Sequence, residues 1–224
     1  MTDRYRPTTF DGIVGQPTDE IEALIDGADT PNFLFHGPPG TGKTTTAYVI
    51  ASRIQGGKGE VMEFNASDER GIDTVRESII PAANQTTLTG KPRVIFLDEM
   101  DSMTKDAQEA LRRPMEQAKA VFVLACNDPD AVHSALKSRC YVYEYDEVPE
   151  RAIRRRVEQL ADEYDVDLSQ NAVNSIVGFA NGDVRSAVQQ FDAHARGVAP
   201  ADDDQQDTLD GNTLEGAARE FLQE

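Results

Sequence analysis

The chain has 224 residues, 39% of them hydrophobic and 28% charged, enough for one large domain or for a medium one and a small one. It contains no run of about 18 apolar residues, which excludes a membrane-spanning helix, and its first residues, MTDRYRPTTF, lack the apolar stretch of a secretory signal. With 22 basic residues against 40 acidic ones the net charge is −18, which argues against diffuse nucleic-acid binding at low salt and leaves room for a local basic face. Such a charge suits either a basic partner or a surface kept solvated in concentrated salt. Only six of the 22 basic residues are lysine, a composition that favours the second. The two cysteines, Cys126 and Cys140, have no metal-ligand spacing and read as reduced thiols of a cytoplasmic protein, with a disulfide between them as the lesser option.

In chain order, Asn32–His36 is a short apolar run that stops at glycine. After a Gly-rich loop, Thr44–Gln55 reads as a helix with Ala47, Ile50, Ala51 and Ile54 on one face. A strand follows at Glu60–Asn65 and a helix at Ile72–Ala83, with Val75, Ile79 and Ile80 inward. Val94–Leu97 is apolar throughout and ends in Asp98-Glu99, the pattern of a strand buried on both faces. Lys105–Gln117 is helical, although Pro114 should interrupt it at a cost of about 3 kcal/mol. Strands at Ala120–Ala125 and Tyr141–Tyr145 complete an alternation that predicts a three-layer α/β domain over residues 1–148. From residue 149 to 224 the pattern is helical alone: Glu150–Glu163, then a helix to Ala180 capped by Ser169 or Asp167, then Val184–Ala195 after Gly182. An acidic linker, 197–212, precedes a fourth amphipathic helix, Thr213–Gln223.

The strongest chemical signal is Gly37-Pro38-Pro39-Gly40-Thr41-Gly42-Lys43-Thr44, a match to GxxxxGK[ST] set between an apolar strand and a helix. Glycines let successive backbone N–H groups curl around phosphate oxygens, and the helix N-terminus adds its positive dipole. Residues 37–44 with Thr45 form the predicted phosphate cradle for ATP. Lys43 would reach the β- and γ-phosphates, while Thr44 and Asp98 would hold Mg²⁺. Asp98 and Glu99 fall at the carboxyl edge of a parallel sheet, where open α/β folds bind ligands, and Glu99 is placed to activate the attacking water. Adjacent acids also mark solvated turns, and the cradle upstream favours the catalytic reading. Asn127 follows the strand Ala120–Ala125 and could position that water, though an asparagine there is also a common turn residue.

Other blocks carry a family resemblance. Asn65-Ala66-Ser67-Asp68-Glu69-Arg70-Gly71 resembles a box of clamp-loader subunits. Arg4-Tyr5-Arg6-Pro7 with Ile13-Val14-Gly15-Gln16 is similar to their N-terminal box. Leu97-Asp98-Glu99, Asp106-Ala107-Gln108 and Ala110-Leu111-Arg112-Arg113 resemble their acidic strand and the helix after it, Ser138-Arg139-Cys140 their SRC motif, and Gly182-Asp183-Val184-Arg185 their lid motif. In order and spanning residues 4 to about 190, these blocks resemble the small subunits of replication factor C, the AAA+ sliding-clamp loader of archaea and eukaryotes. The acid-rich surface fits a haloarchaeal member. The resemblance implies an α/β P-loop core with a small helical lid, Mg²⁺-dependent ATP hydrolysis, and work with other subunits, a sliding clamp and primer–template DNA. It also implies that Arg6 and Val14 help enclose the adenine, that Arg139 is an arginine finger acting on a neighbour's ATP, and that Arg185 reaches the chain's own phosphates from the lid.

Arg112 and Arg113 lie on a helix resembling one near the family's DNA-facing surface, whereas Arg154–Arg156, the densest basic run, reads as a solvated lid face. The family's small subunits carry a further helical collar after the lid that these 224 residues do not include. Two other readings stay open: a nucleotide-gated binding module with weak turnover, or another AAA+ DNA motor.

Overall fold

The computed structural model describes residues 2–198 except 28, 58, 59, 69 and 89. Most of the predicted linker, the predicted helix Thr213–Gln223 and Glu69 of the predicted box lie outside the described residues.

Five strands form one sheet: β1 (Asn32–His36), β2 (Val61–Asn65), β3 (Val94–Asp98), β4 (Val121–Cys126) and β5 (Cys140–Glu144). Every neighbouring pair is parallel, in the order β2-β3-β4-β1-β5. The apolar runs explain the arrangement: Phe33–Phe35, Val94–Leu97 and all of β4 are buried, as strands covered on both faces must be. At the edge, β5 leaves Tyr141 and Val142 exposed. Parallel strands need crossovers, supplied here by α2 (Lys43–Gln55) and α5 (Lys105–Gln117) among others.

Three local features differ from the sequence expectation. The predicted helix 72–83 is broken into α3 (Ile72–Thr74), a wide π turn (Val75–Ile79) and α4 (Ile80–Ala83). Pro81 has no N–H for a regular turn, so the chain widens ahead of it while Val75 and Ile79 stay buried. Pro114, by contrast, does not stop α5. It lies in the last turn, where its carbonyl still accepts from the Ala118 N–H at 2.9 Å, and the helix runs on to Gln117. Finally α1 (Thr18–Ile25) was not anticipated, although Ile21, Leu24 and Ile25 carry its apolar face into the core beside α2.

Beyond a four-residue helix, α6 (Ser134–Lys137), and β5, the chain turns into α7 (Glu150–Tyr164), α8 (Gln170–Ala180) and α9 (Val184–Ala195). The Ser169 hydroxyl, rather than Asp167, caps α8 by accepting from the Ala172 N–H at 3.1 Å. Ile153, Val157, Leu160, Val173, Ile176 and Phe191 form the helical core. Two residues from the start of the chain, Tyr5 and Val14, are buried in the same cluster. Tyr5 packs edge-on against Tyr164 and Phe191, and its hydroxyl donates to Asp192 at 2.8 Å. Both cysteines are free thiols. Among the described residues no helix is long and apolar enough to cross a membrane.

Phe96, fully buried at the centre of β3, gives a direct measure of how much the sheet depends on its packing. Phe96→Ala should cost about 3–5 kcal/mol in urea unfolding at fixed salt. A loss under about 1 kcal/mol would mean that the sheet is not packed as described.

Candidate functional site

Because β1, β4 and β3 lie side by side and point the same way, their carboxyl ends meet at one edge. β1 delivers the Gly37–Thr44 loop, β3 delivers Asp98 and Glu99, and β4, between them, delivers Cys126 and Asn127. The loop is built around glycine where nothing larger fits. Gly37 has φ 138° and a Cβ there would sit 2.0 Å from the Tyr145 carbonyl oxygen. Gly40 has φ 75°, and its Cβ would meet the Asp183 carboxylate at 1.8 Å. The loop's own carbonyls hold the lysine: Lys43 Nζ donates to Gly37 at 2.6 Å and to Pro38 at 2.7 Å. The Thr44 hydroxyl lies 3.4 Å from Asp98 Oδ2. Asp98 Oδ1 accepts from the Glu99 N–H at 2.9 Å, and Glu99 is held at φ 54°, a conformation rare outside glycine and typical of working sites.

Electrostatics follow from burial. Burial pulls the Lys43 pKa down, and the neighbouring Asp98 opposes this. Burial pushes Asp98 up; the Glu99 N–H counters it, while the Glu63 and Glu99 carboxylates add to the rise. The Cys126 thiol is pushed up to about 12, first by burial, and so stays protonated. Arg185 adds positive potential beside Lys43, so the loop mouth gathers cationic and backbone N–H donors against a carboxylate pair.

A cavity of about 260 Å³ opens over this edge. Pro39, Gly40, Thr41, Gly42, Lys43, Thr44, Thr45, Asp98, Glu99, Asn127 and Arg185 all line it, and Arg6 and Val14 line it too. Gly37 and Pro38 stand behind the loop, their carbonyls taken by Lys43. Arg139 is not brought to this cavity. It sits before β5, at the amino ends of the strands, bonded to Glu116 and to the Ala135 carbonyl.

The helices α7–α9 meet the loop through backbone. The Val184 N–H donates to the Gly40 carbonyl at 3.1 Å, the Val148 N–H donates to Gly182 at 3.0 Å, and Asp183 caps α9 by accepting from the Ser186 N–H. Gln16 bridges the Thr41 and Asp146 carbonyls at 3.1 and 3.0 Å. One residue overturns its sequence reading. Arg156, taken with its neighbours as a solvated face, is only 7% exposed and lines the cavity. Its spacing from Ile153, Val157 and Leu160, all on the buried stripe, is the signal that could have found it.

Residues 33–147 match the family of ATPases associated with various cellular activities, AAA. Solved structures of Thermotoga maritima RuvB share the fold. The Holliday junction branch migration motor aligns with a TM-score of 0.69 at 20% identity, over 84% of this chain and 64% of its own. A variant of it reaches 0.71 at 21% identity with the same shares covered. The chain is thus an AAA ATPase with an α/β P-loop core. Among curated relatives, it is 36% identical to replication factor C subunit 4 of Encephalitozoon cuniculi, over 91% of this chain and 67% of that protein. It is 40% identical to the replication factor C small subunit of Methanosarcina mazei, over 86% and 60% respectively, and 36% identical to that of Natronomonas pharaonis, over 99% and 70%. The chain belongs to the replication factor C small-subunit family, the clamp-loader family its motifs resemble, and spans between 60% and 70% of the length of these relatives.

Two measurements probe the geometry. Gly40→Ala meets both left-handed strain and the Asp183 carboxylate, whereas Gly56 has φ 75° with nothing within 4 Å of a Cβ. Gly56→Ala should therefore cost about 1–2 kcal/mol and Gly40→Ala clearly more, as read by thermal melting. Equal losses would mean that the lid does not rest on the loop. Asp98→Asn tests the buried carboxylate. A raised pKa means that the folded state holds its proton more tightly than the unfolded one, so stability falls as pH rises from the unfolded value through the folded one. At neutral pH the nucleotide-free Asp98→Asn protein should melt higher than wild type; a lower melting temperature contradicts the assignment.

Proposed function

We propose that the cavity takes ATP with Mg²⁺, and that this cytoplasmic subunit, within a hetero-oligomer of clamp-loader subunits, couples ATP binding and hydrolysis to loading a sliding clamp onto primer–template DNA. One observation carries the nucleotide reading: the Thr44 hydroxyl and the Asp98 carboxylate converge to 3.4 Å at the foot of a glycine loop whose lysine is already in place. The donor set suits Mg²⁺, a hard cation that takes one or two protein oxygens and completes its shell with phosphate and water. Among the described residues no group of three or more His, Cys, Asp or Glu could hold a metal ion. Held by Thr44 and Asp98, Mg²⁺ would supply charge neutralisation to the phosphates.

The chain's own groups divide the remaining work. Lys43 exchanges its two loop carbonyls for phosphate oxygens, and the loop N–H groups hold the rest of the chain of phosphates. Glu99 draws the proton from the attacking water, and Asn127 orients that water. Arg185 approaches the phosphates from the lid, and Arg6 and Val14 enclose the base. Family membership supports the clamp, the DNA and the neighbouring subunits as partners. What supports a division of labour between subunits is that the Arg139 side chain is tied to Glu116, away from its own cavity, and so does not serve its own nucleotide. An isolated chain is then a nucleotide-binding module with slow turnover.

Lys43→Ala should abolish nucleotide binding in calorimetry at molar salt with Mg²⁺. Arg139→Ala should leave binding intact, yet lower clamp- and DNA-stimulated hydrolysis by the assembled complex about 10³- to 10⁵-fold. A harmless Arg139→Ala in an assembled complex rules out the finger in trans, and wild type without nucleotide affinity rules out the whole reading.

A further inference from the structure

Arg156 is a buried arginine that the roles above leave unused. It projects from α7 on the same stripe as Ile153, Val157 and Leu160 and is 7% exposed. Burial works against its charge, and Glu163 offsets only part of that. Burying a guanidinium is costly, so the position needs a return beyond filling space. Its Nη2 donates to the Tyr5 carbonyl at 2.8 Å, and the side chain also lines the cavity.

Tyr5 is in turn gripped from every side. Its hydroxyl donates to Asp192, its ring packs against Tyr164 and Phe191, and Arg156 holds its carbonyl. The next two residues, Arg6 and Pro7, face the cavity. At the far end of this N-terminal strap, Gln16 is fixed to the Thr41 and Asp146 carbonyls. The strap therefore hangs between the helices and the phosphate loop, and Arg156 is a charged attachment on the helical side.

We propose that Arg156 is a positioning residue for the base half of the nucleotide: by fixing the Tyr5 carbonyl it sets the strap wall against which the base lies, and it contributes to affinity for the base but not for the phosphates. This rests on the nucleotide reading given above. Residues 5–7 of the strap line the cavity, so the place of that wall depends on what holds their backbone, and a charged donor on a carbonyl is a strong hold.

The experiment is calorimetric titration of the full chain with Mg²⁺–ATP and, separately, with Mg²⁺–tripolyphosphate, at one salt concentration. Arg156→Met keeps the apolar stem and removes the donor. It should weaken ATP roughly 10- to 100-fold, the loss expected for a hydrogen bond from a charged group, and leave tripolyphosphate within about twofold of wild type. Arg156→Lys should recover part of the ATP affinity. Tyr5→Phe, which removes the hydroxyl bond to Asp192 and leaves Arg156 and the ring packing in place, should weaken ATP several-fold with tripolyphosphate again unchanged, and so reads the strap even if Arg156→Met fails to fold. Equal loss for both ligands, or no loss for either, overturns the proposal. Wild type that binds tripolyphosphate and ATP equally well overturns it while sparing a phosphate site, and wild type that binds neither removes the nucleotide reading itself.

Discussion

The structure depends on the parallel register of three strands. Backbone hydrogen bonds set Leu97 beside Leu124 and His36 beside Cys126, so three chain segments far apart in sequence leave the sheet at the same height. Nothing about the loop or the acids alone would place them together. With β4 interposed, Asp98 and Lys43 approach from opposite sides of the same strand end, and the residues that follow β4 fall between them. The chemistry of the site is a consequence of strand order.

The second constraint is the seat of the helical lid. A P-loop open to solvent on all sides would bind phosphates but carry no message about them. Here the turn between α8 and α9 rests directly on Gly40, and the N-terminal strap is shared between the lid core and the cavity wall. The helices and the walls of the cavity therefore share contacts, so one cannot shift without disturbing the other.

Much of this was legible in the sequence. The strands at 32–36 and 94–98 and the helices at 105–117 and 184–195 emerge within a residue or so, because an unbroken apolar run or a 3.6-residue stripe has one interpretation when glycine, serine or aspartate closes it. The loop, Asp98-Glu99 and Asn127 were singled out on a different ground, residue type at a strand end, and the structure brings them together around one cavity. What escaped depended on partners remote in sequence. The burial of Tyr5 is decided by Tyr164 and Phe191, more than 150 residues away. Arg156 was hidden by the arginines around it, since a basic run reads as solvated unless its helical phase is counted. The π turn ahead of Pro81 is a local event, but composition does not say whether a proline will bend a helix, end it or widen it.

Two of the bonds that seat the helices α7–α9 run from main chain to main chain: Val184 to Gly40 of the loop, and Val148, at the end of the sheet domain, to Gly182. Neutral amides and carbonyls feel ionic strength far less than exposed ion pairs do. In a chain carrying −18 these two backbone bonds therefore respond less to salt than its surface ion pairs do, and a change of surface charge reaches them only weakly.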